Sequence, residues 1–215
     1  MNNVTLFLLS ALSFSFLPLH SHAQATLFTP TLQGQVPVKT WKALRDAQIV
    51  KQDLDYSCGA ASLATILNGF YGKDISEEDI LKAMNKEDGM ASFADMAKVL
   101  PQYGFKGAGF ALGIEQLRKL KVPVIVYLRY RGDDHFSVLR GMSEKSVWLG
   151  DPSWGNRIIS LPQFLAMWET REDADYKGKV LLMLPEQAVA ATNPGFFAPP
   201  ADNTLPLEAL MLRNF

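Results

Sequence analysis

Gln52-Asp53-Leu54-Asp55-Tyr56-Ser57-Cys58-Gly59-Ala60-Ala61-Ser62-Leu63-Ala64-Thr65-Ile66-Leu67-Asn68-Gly69 turns from polar to apolar at a single cysteine. Beyond Cys58, Ala and Leu occupy every helical face, and Asn68-Gly69 supplies a stop. The segment therefore predicts a helix lying inside a domain rather than on it. Cys58 then stands where a loop enters that helix. The free N–H groups and the dipole of a helix N-terminus favour a thiolate. Gly59 leaves room for the backbone of a bound chain. Gln52, six positions before Cys58, carries an amide able to aim an N–H at an oxyanion beside the sulfur, together with the Cys58 backbone N–H. A buried, inert cysteine is the competing reading.

Downstream, Ser76-Glu77-Glu78-Asp79 has the form of a capping box, followed by the apolar stripe Ile80, Leu81 and Met84. Ser92 and Asp95 repeat that spacing ahead of a helix that ends at Leu100, before Pro101. Ile114 to Leu120 makes another short helix. The period then changes. Val122 to Leu128, His135 to Leu139, Val147 to Leu149, Arg157 to Leu161 and Lys179 to Leu184 read as strands, with a helix at Pro162 to Trp168 between them. Helices first and strands later predict an α+β fold with an antiparallel sheet. Gly104 to Gly113 holds four glycines without a phosphate-loop pattern and reads as a turn-rich connection. Glu77, Glu78, Asp79, Glu87 and Asp88 do not match a calcium loop and read as a solvated helix face.

The chain has 215 residues, enough for one medium domain with a hydrophobic core. Lys plus Arg total 21 and Asp plus Glu total 22, so no basic footprint for nucleic acid is present. Met1 to Ala23 contains no Lys, Arg, Asp or Glu. An apolar run from Val4 to Leu17, then Pro18, then Ser21-His22-Ala23 and Ala23-Gln24-Ala25 read as a signal peptide with two cleavage choices. Its n-region has only the terminal amine as positive charge, and an uncleaved anchor is the alternative. No second run approaches the ~20 residues that span a bilayer, which predicts no membrane insertion after signal removal. One cysteine permits no internal disulfide. Of three histidines only His135 lies beyond the signal. A His-based zinc site is not expected, and no cofactor is called for.

His135 opens a strand after the polar turn Arg131 to Asp134, where its ring can stand at a sheet edge as a general base. A surface histidine in a charged loop is the plainer reading. Asp151 ends the strand Val147 to Leu149, so antiparallel pairing brings it near His135 as the third, orienting group. Asp151-Pro152 also reads simply as a turn initiator. Ser137 lies two residues from His135 but lacks the strained elbow of serine nucleophiles. Trp154 fits a core position, yet its place beside Asp151 also makes it a candidate for substrate contact.

Gln52 to Leu63, Asp134 to Leu139 and Gly150-Asp151-Pro152-Ser153-Trp154-Gly155 together resemble the nucleophile, histidine and aspartate segments of the C39 peptidases. These are papain-like enzymes that process double-glycine leaders of bacteriocins. The resemblance spans residues 45 to 185. It implies a papain-like fold, with Cys58 as nucleophile, His135 as proton acceptor and donor, Asp151 as orienting group and Gln52 as oxyanion donor. It implies a polypeptide substrate cut after Gly-Gly. Well-known members are fused to ABC transporters. This chain, with its apparent export signal, is more similar to stand-alone secreted members in bacterial functional-amyloid systems. That implies a periplasmic location and partners among amyloid secretion components. A non-catalytic peptide-binding module and another Cys-His-Asp enzyme, a transglutaminase or amidase, are the alternatives. The expected organisation is a signal peptide at 1–23, an N-terminal arm at 24–48, a peptidase domain at 49–185 and a tail at 186–215.

Overall fold

The computed structural model describes residues 24–28, 33–37, 39–85, 89–189 and 191–199. The predicted signal segment and residues 200–215 lie outside the described residues. Two compact units divide at Thr40 and Trp41. In the first, β1 (Gln24–Phe28) and β2 (Gln33–Pro37) pair antiparallel, from Gln24 opposite Pro37 to Phe28 opposite Gln33.

The second unit begins with α1 (Trp41–Arg45) and α2 (Cys58–Gly69), then α3 (Glu77–Met84) and α4 (Phe93–Val99). Residues Cys58 through Leu67 of α2 are all buried, as the absence of a polar face requires. Both expected capping boxes form. Ser76 Oγ accepts from Asp79 N, Ser92 Oγ accepts from Asp95 N, and each aspartate answers with its own carboxylate. Past α4 the chain tightens into a 3-10 turn at Leu100–Tyr103.

Next come β3 (Phe105–Leu112), α5 (Ile114–Arg118), β4 (Val124–Tyr130), β5 (Asp133–Met142), β6 (Ser146–Asp151), β7 (Gly155–Ser160), α6 (Leu161–Trp168) and β8 (Gly178–Pro185). Six strands form one antiparallel sheet in the order β3-β8-β4-β5-β6-β7. The α+β class holds. Val124, Ile125 and Val126 are wholly buried, which suits a central strand covered on both faces. Ile125, Phe136, Val138, Leu181 and Met183 face α2, α3 and α4. Val124, Val126, Leu128, Leu139 and Val180 alternate to the other face, against Leu117, Phe164 and Trp168.

Two expectations change. The glycine-rich stretch before α5 is not a loop but the edge strand β3, paired with β8 along its whole length. A Cβ at Gly107 would strike Leu100 Cδ1, and one at Gly109 would stand 3.4 Å from Phe93 Cδ2. Glycine lets the helix and its 3-10 turn lie directly on the strand. The second change concerns the tail. Pro194–Phe197 forms a 3-10 turn, and Phe196 is wholly buried in the α2 core. Its ring lies 6.0 Å from that of Phe70. Asn193 Nδ2 donates to Gly69 O at 3.0 Å, and Trp148 Nε1 donates to Phe197 O at 2.8 Å. The tail's first part therefore belongs to the fold.

Arg140 explains why that part is held. It is 4% exposed on β5. Its Nε donates to Phe196 O at 2.8 Å, Nη2 to Gln48 Oε1 at 2.8 Å, and Nη1 to Asn156 Oδ1. The guanidinium also stacks 4.5 Å from the Phe196 ring centre. Burial pushes its pKa down to about 10. Phe196→Ala should therefore destabilise the protein by about 3–5 kcal/mol, read as a lower urea midpoint in equilibrium unfolding. An unchanged midpoint would place Phe196 outside the cooperative core.

Candidate active site

The position of Cys58 follows from α2. Cys58 is its first residue and is 1% exposed. Ser57, at the N-cap, makes no side-chain cap. Its hydroxyl instead donates to Leu54 O at 2.7 Å and accepts from Leu54 N at 3.2 Å, closing the turn before the helix. The first N–H groups of α2 are thus not taken up by the cap residue.

The other two groups come from the sheet. Val138 of β5 pairs with Gly150 of β6. His135 and Asp151 therefore reach the same sheet end. His135 Nε2 stands 3.2 Å and 3.1 Å from the two Asp151 carboxylate oxygens. The His135 side chain is 20% exposed and that of Asp151 is 2% exposed. Cys58 also acts on the imidazole and favours its protonated form. With Nε2 facing the carboxylate, Nδ1 is the nitrogen left to exchange a proton with the sulfur.

Asp151 is itself held. Its Oδ1 accepts from Ser153 N at 2.9 Å and Trp154 N at 3.0 Å. Gly155, at φ +79°, then reverses the chain into β7, where a Cβ would come within 2.7 Å of Arg45 O. Burial pushes the Asp151 carboxyl up. The imidazole's hydrogen bond and charge and the two backbone N–H groups outweigh that and hold it below its usual range. Burial pulls the His135 imidazole down, but its hydrogen bond to Asp151, the nearby Cys58 and the Asp151 charge win and raise it to about 9.

Gln52 stands beside this group, though less simply than its spacing from Cys58 implies. Its backbone N–H donates to Pro152 O at 3.2 Å, and its Oε1 accepts from Ser153 Oγ at 2.6 Å. Nε2 donates to Leu54 O at 2.9 Å and, at a longer 3.4 Å, to Asp55 O. The N–H end of the amide is thus turned onto its own loop and the oxygen end onto the Ser153 hydroxyl. Gly59 departs from expectation. It is buried, and a Cβ there would meet Met96 Sδ at 3.2 Å and Phe136 Cδ2 at 3.4 Å. Its smallness serves core packing, and it is set aside as a substrate contact. Trp154 is 60% exposed beside the aspartate, with Arg157 5.7 Å over its ring. Ser137 is wholly buried, with its hydroxyl donating to Gly150 O at 3.4 Å.

Glu77 joins this site against the expectation of a solvated helix face. It is 5% exposed, and both its oxygens accept from Asp53 N, at 3.2 Å and 3.0 Å. The first turn of α3 thereby braces the loop that runs from Gln52 to Cys58. A cap-adjacent acid is visible in sequence, but its burial depends on where the loop folds back.

The peptidase C39 family model matches residues 46–171. The chain belongs to the peptidase C39 family. It is 35% identical to the "Probable functional amyloid protease FapD" of Pseudomonas fluorescens, over 80% of this chain and 83% of that protein. It is 32% identical to the protein of the same description in Pseudomonas aeruginosa, over 84% of this chain and 87% of that one. Among solved structures, a double glycine motif protease from an AMS/PCAT transporter, in complex with the leader peptide, is 27% identical. It superposes with a TM-score of 0.53, covering 64% of this chain and 90% of that one. The peptidase domain of Streptococcus ComA shares the fold at 19% identity, with a TM-score of 0.53 over 64% of this chain and 97% of that one. The family match ends before β8 and the buried turn at Phe196.

The imidazole's raised pKa carries a sign. The His135–Asp151 pair contributes its full stability below pH 6.5 and loses it as pH rises through about 9. On the acid side the pair lasts until pH falls below the usual carboxylate value of 3.8 and through the depressed Asp151 pKa. An NMR titration of the His135 ring should give a midpoint near 9 in wild type and a lower one in Asp151→Asn. A wild-type midpoint near 6.5 would contradict the pairing.

Proposed function

We propose that this C39 peptidase is an exported cysteine endopeptidase that cleaves a secreted polypeptide during functional-amyloid fibre export. The carrying observation is His135, bonded through Nε2 to buried Asp151, while Cys58 at the start of a buried helix also favours the charged imidazole. In the proposed reaction, His135 already holds the proton given up by Cys58, and the sulfur attacks the scissile carbonyl carbon as a thiolate. A C–S bond forms and the carbonyl electron pair moves to oxygen. The Cys58 backbone N–H and the Gln52 amide receive that oxyanion, the latter once its long bond to Asp55 O yields. The C–N bond then breaks, and His135 returns the proton to the leaving amine. Water, deprotonated by His135, hydrolyses the thioester and frees Cys58. Asp151 orients the imidazole throughout and stabilises its charged form.

The 1% exposure of Cys58 supports cleavage after Gly-Gly. A carbonyl reaches so enclosed a sulfur most easily when its neighbours lack side chains. Likeness to a double glycine motif protease points the same way. Phe136, which packs on Gly59, also lines, with Met90, Phe93, Tyr127, Asp134 and Lys179 among others, a pocket of about 310 Å³ that offers an apolar seat with charged rims for the polypeptide. Exposed Trp154 borders the aspartate side. The uncharged Met1 to Ala23 segment supports export to the periplasm. Likeness to FapD supports fibre export as the setting.

The test is Cys58→Ala beside wild type in the native host, with exported proteins sized by mass spectrometry. One exported polypeptide should keep a segment that wild type removes, with the junction after Gly-Gly. If every exported protein has the same mass in both strains, the peptidase reading fails.

A further inference from the structure

We propose that Ser153 is a positioning residue that fixes the Gln52 amide for oxyanion binding; the proposal rests on the peptidase reading above. A carboxamide has nearly the same shape at both ends, so its partners alone decide which end faces where. The Ser153 hydroxyl donates to Gln52 Oε1 at 2.6 Å, while Nε2 donates to Leu54 O at 2.9 Å. With the oxygen end held by Ser153, the N–H end is kept on the nucleophile loop. The backbone agrees, since Gln52 N donates to Pro152 O at 3.2 Å. Two successive residues after Asp151 thus grip Gln52 at main chain and side chain.

Ser153 also donates its own backbone N–H to Asp151 Oδ1 at 2.9 Å. One residue therefore serves both halves of the site, with its N–H on the carboxylate that orients His135 and its O–H on the amide beside Cys58. Ser153→Ala separates them, because alanine keeps the N–H and loses only the hydroxyl. Ser153 is exposed, so the substitution leaves the core intact. Without the hydroxyl, only the Nε2 bonds to Leu54 O and Asp55 O restrain the amide about a broad sp³–sp² torsion, and the donor loses part of its preorganisation. A hydroxyl at this place in the Asp-Pro-Ser-Trp turn carries no periodicity, and only the fold shows its partner.

The experiment compares two reagents on Cys58. N-acetyl-glycyl-glycinal adds reversibly: the sulfur bonds to the aldehyde carbon, the carbonyl pair moves to oxygen, and that oxygen occupies the oxyanion position. Iodoacetamide alkylates the same sulfur by displacing iodide and makes no oxyanion. Ser153→Ala should weaken aldehyde binding roughly three- to tenfold, the worth of one neutral hydrogen bond, and leave the alkylation rate unchanged. Ser153→Thr should restore it. In a Gln52→Ala background, Ser153→Ala should add nothing further. Equal aldehyde affinity in wild type and Ser153→Ala, or additive losses with Gln52→Ala, would overturn the role of Ser153 and leave the peptidase reading standing. Alkylation slowed as much as aldehyde binding would also overturn it, since Ser153 would then act through the Cys58–His135 pair. A wild-type protein that is alkylated but never binds the aldehyde would overturn the peptidase reading, and the role of Ser153 with it.

Discussion

The burial of α2 against the sheet is the constraint on which the rest depends. Leu63, Ile66 and Leu67 are wholly buried there, against Phe105, Ile125, Phe136, Val138 and Leu181. Each such side chain contributes roughly 1.5–3 kcal/mol relative to exposure. That packing fixes the helix N-terminus, and with it the Cys58 sulfur, in front of the end of β5. The histidine needs no loop of its own to reach it. Gly59 is part of the same constraint, because a larger residue would push α2 away from Met96 and Phe136 and shift Cys58 with it.

The second layer of order is a set of polar ties between chain segments far apart in sequence. Gln52 binds Pro152 and Ser153, Glu77 binds Asp53, and Arg140 gathers Gln48, Asn156 and Phe196. None of these ties is large alone. Together they hold the loop before α2 to the turn after β6, so that thiol, imidazole and carboxylate meet on preformed elements rather than on free loops. The buried His135–Asp151 contact gains from this, because a charge pair taken out of water is favourable only with good geometry and further hydrogen bonds, which Ser153 N and Trp154 N supply.

Much of this architecture is legible in the amino-acid sequence. The apolar run after Cys58, the two Ser-x-x-Asp boxes and the alternation from Val122 onward are local signals, and the elements they announce form where expected. The convergence of His135 and Asp151 is legible because strand pairing has few ways to join a strand starting at His135 to one ending at Asp151. What stays hidden depends on contacts that leave no local trace. Gly107 and Gly109 look like turn residues, yet are small to admit Leu100 and Phe93. Phe196 sits in an Ala- and Pro-rich stretch without period, and only the buried Arg140 and the end of α2 give it a place. Glu77 has the sequence context of an exposed first-turn acid, and its burial is set by a loop on another segment. Gly59 reads equally as a path for substrate or as a packing site, and distance alone decides.

The central claim is that Cys58 becomes covalently acylated by an exported polypeptide. The most direct measurement is peptide mapping by mass spectrometry after acid quenching of purified wild-type protein mixed with the polypeptides its host exports. The account predicts a Cys58 peptide heavier by the acyl fragment that ends at the cleaved bond, absent when His135 is replaced by alanine. Cleavage of those polypeptides with Cys58 left unmodified at every time point would contradict it.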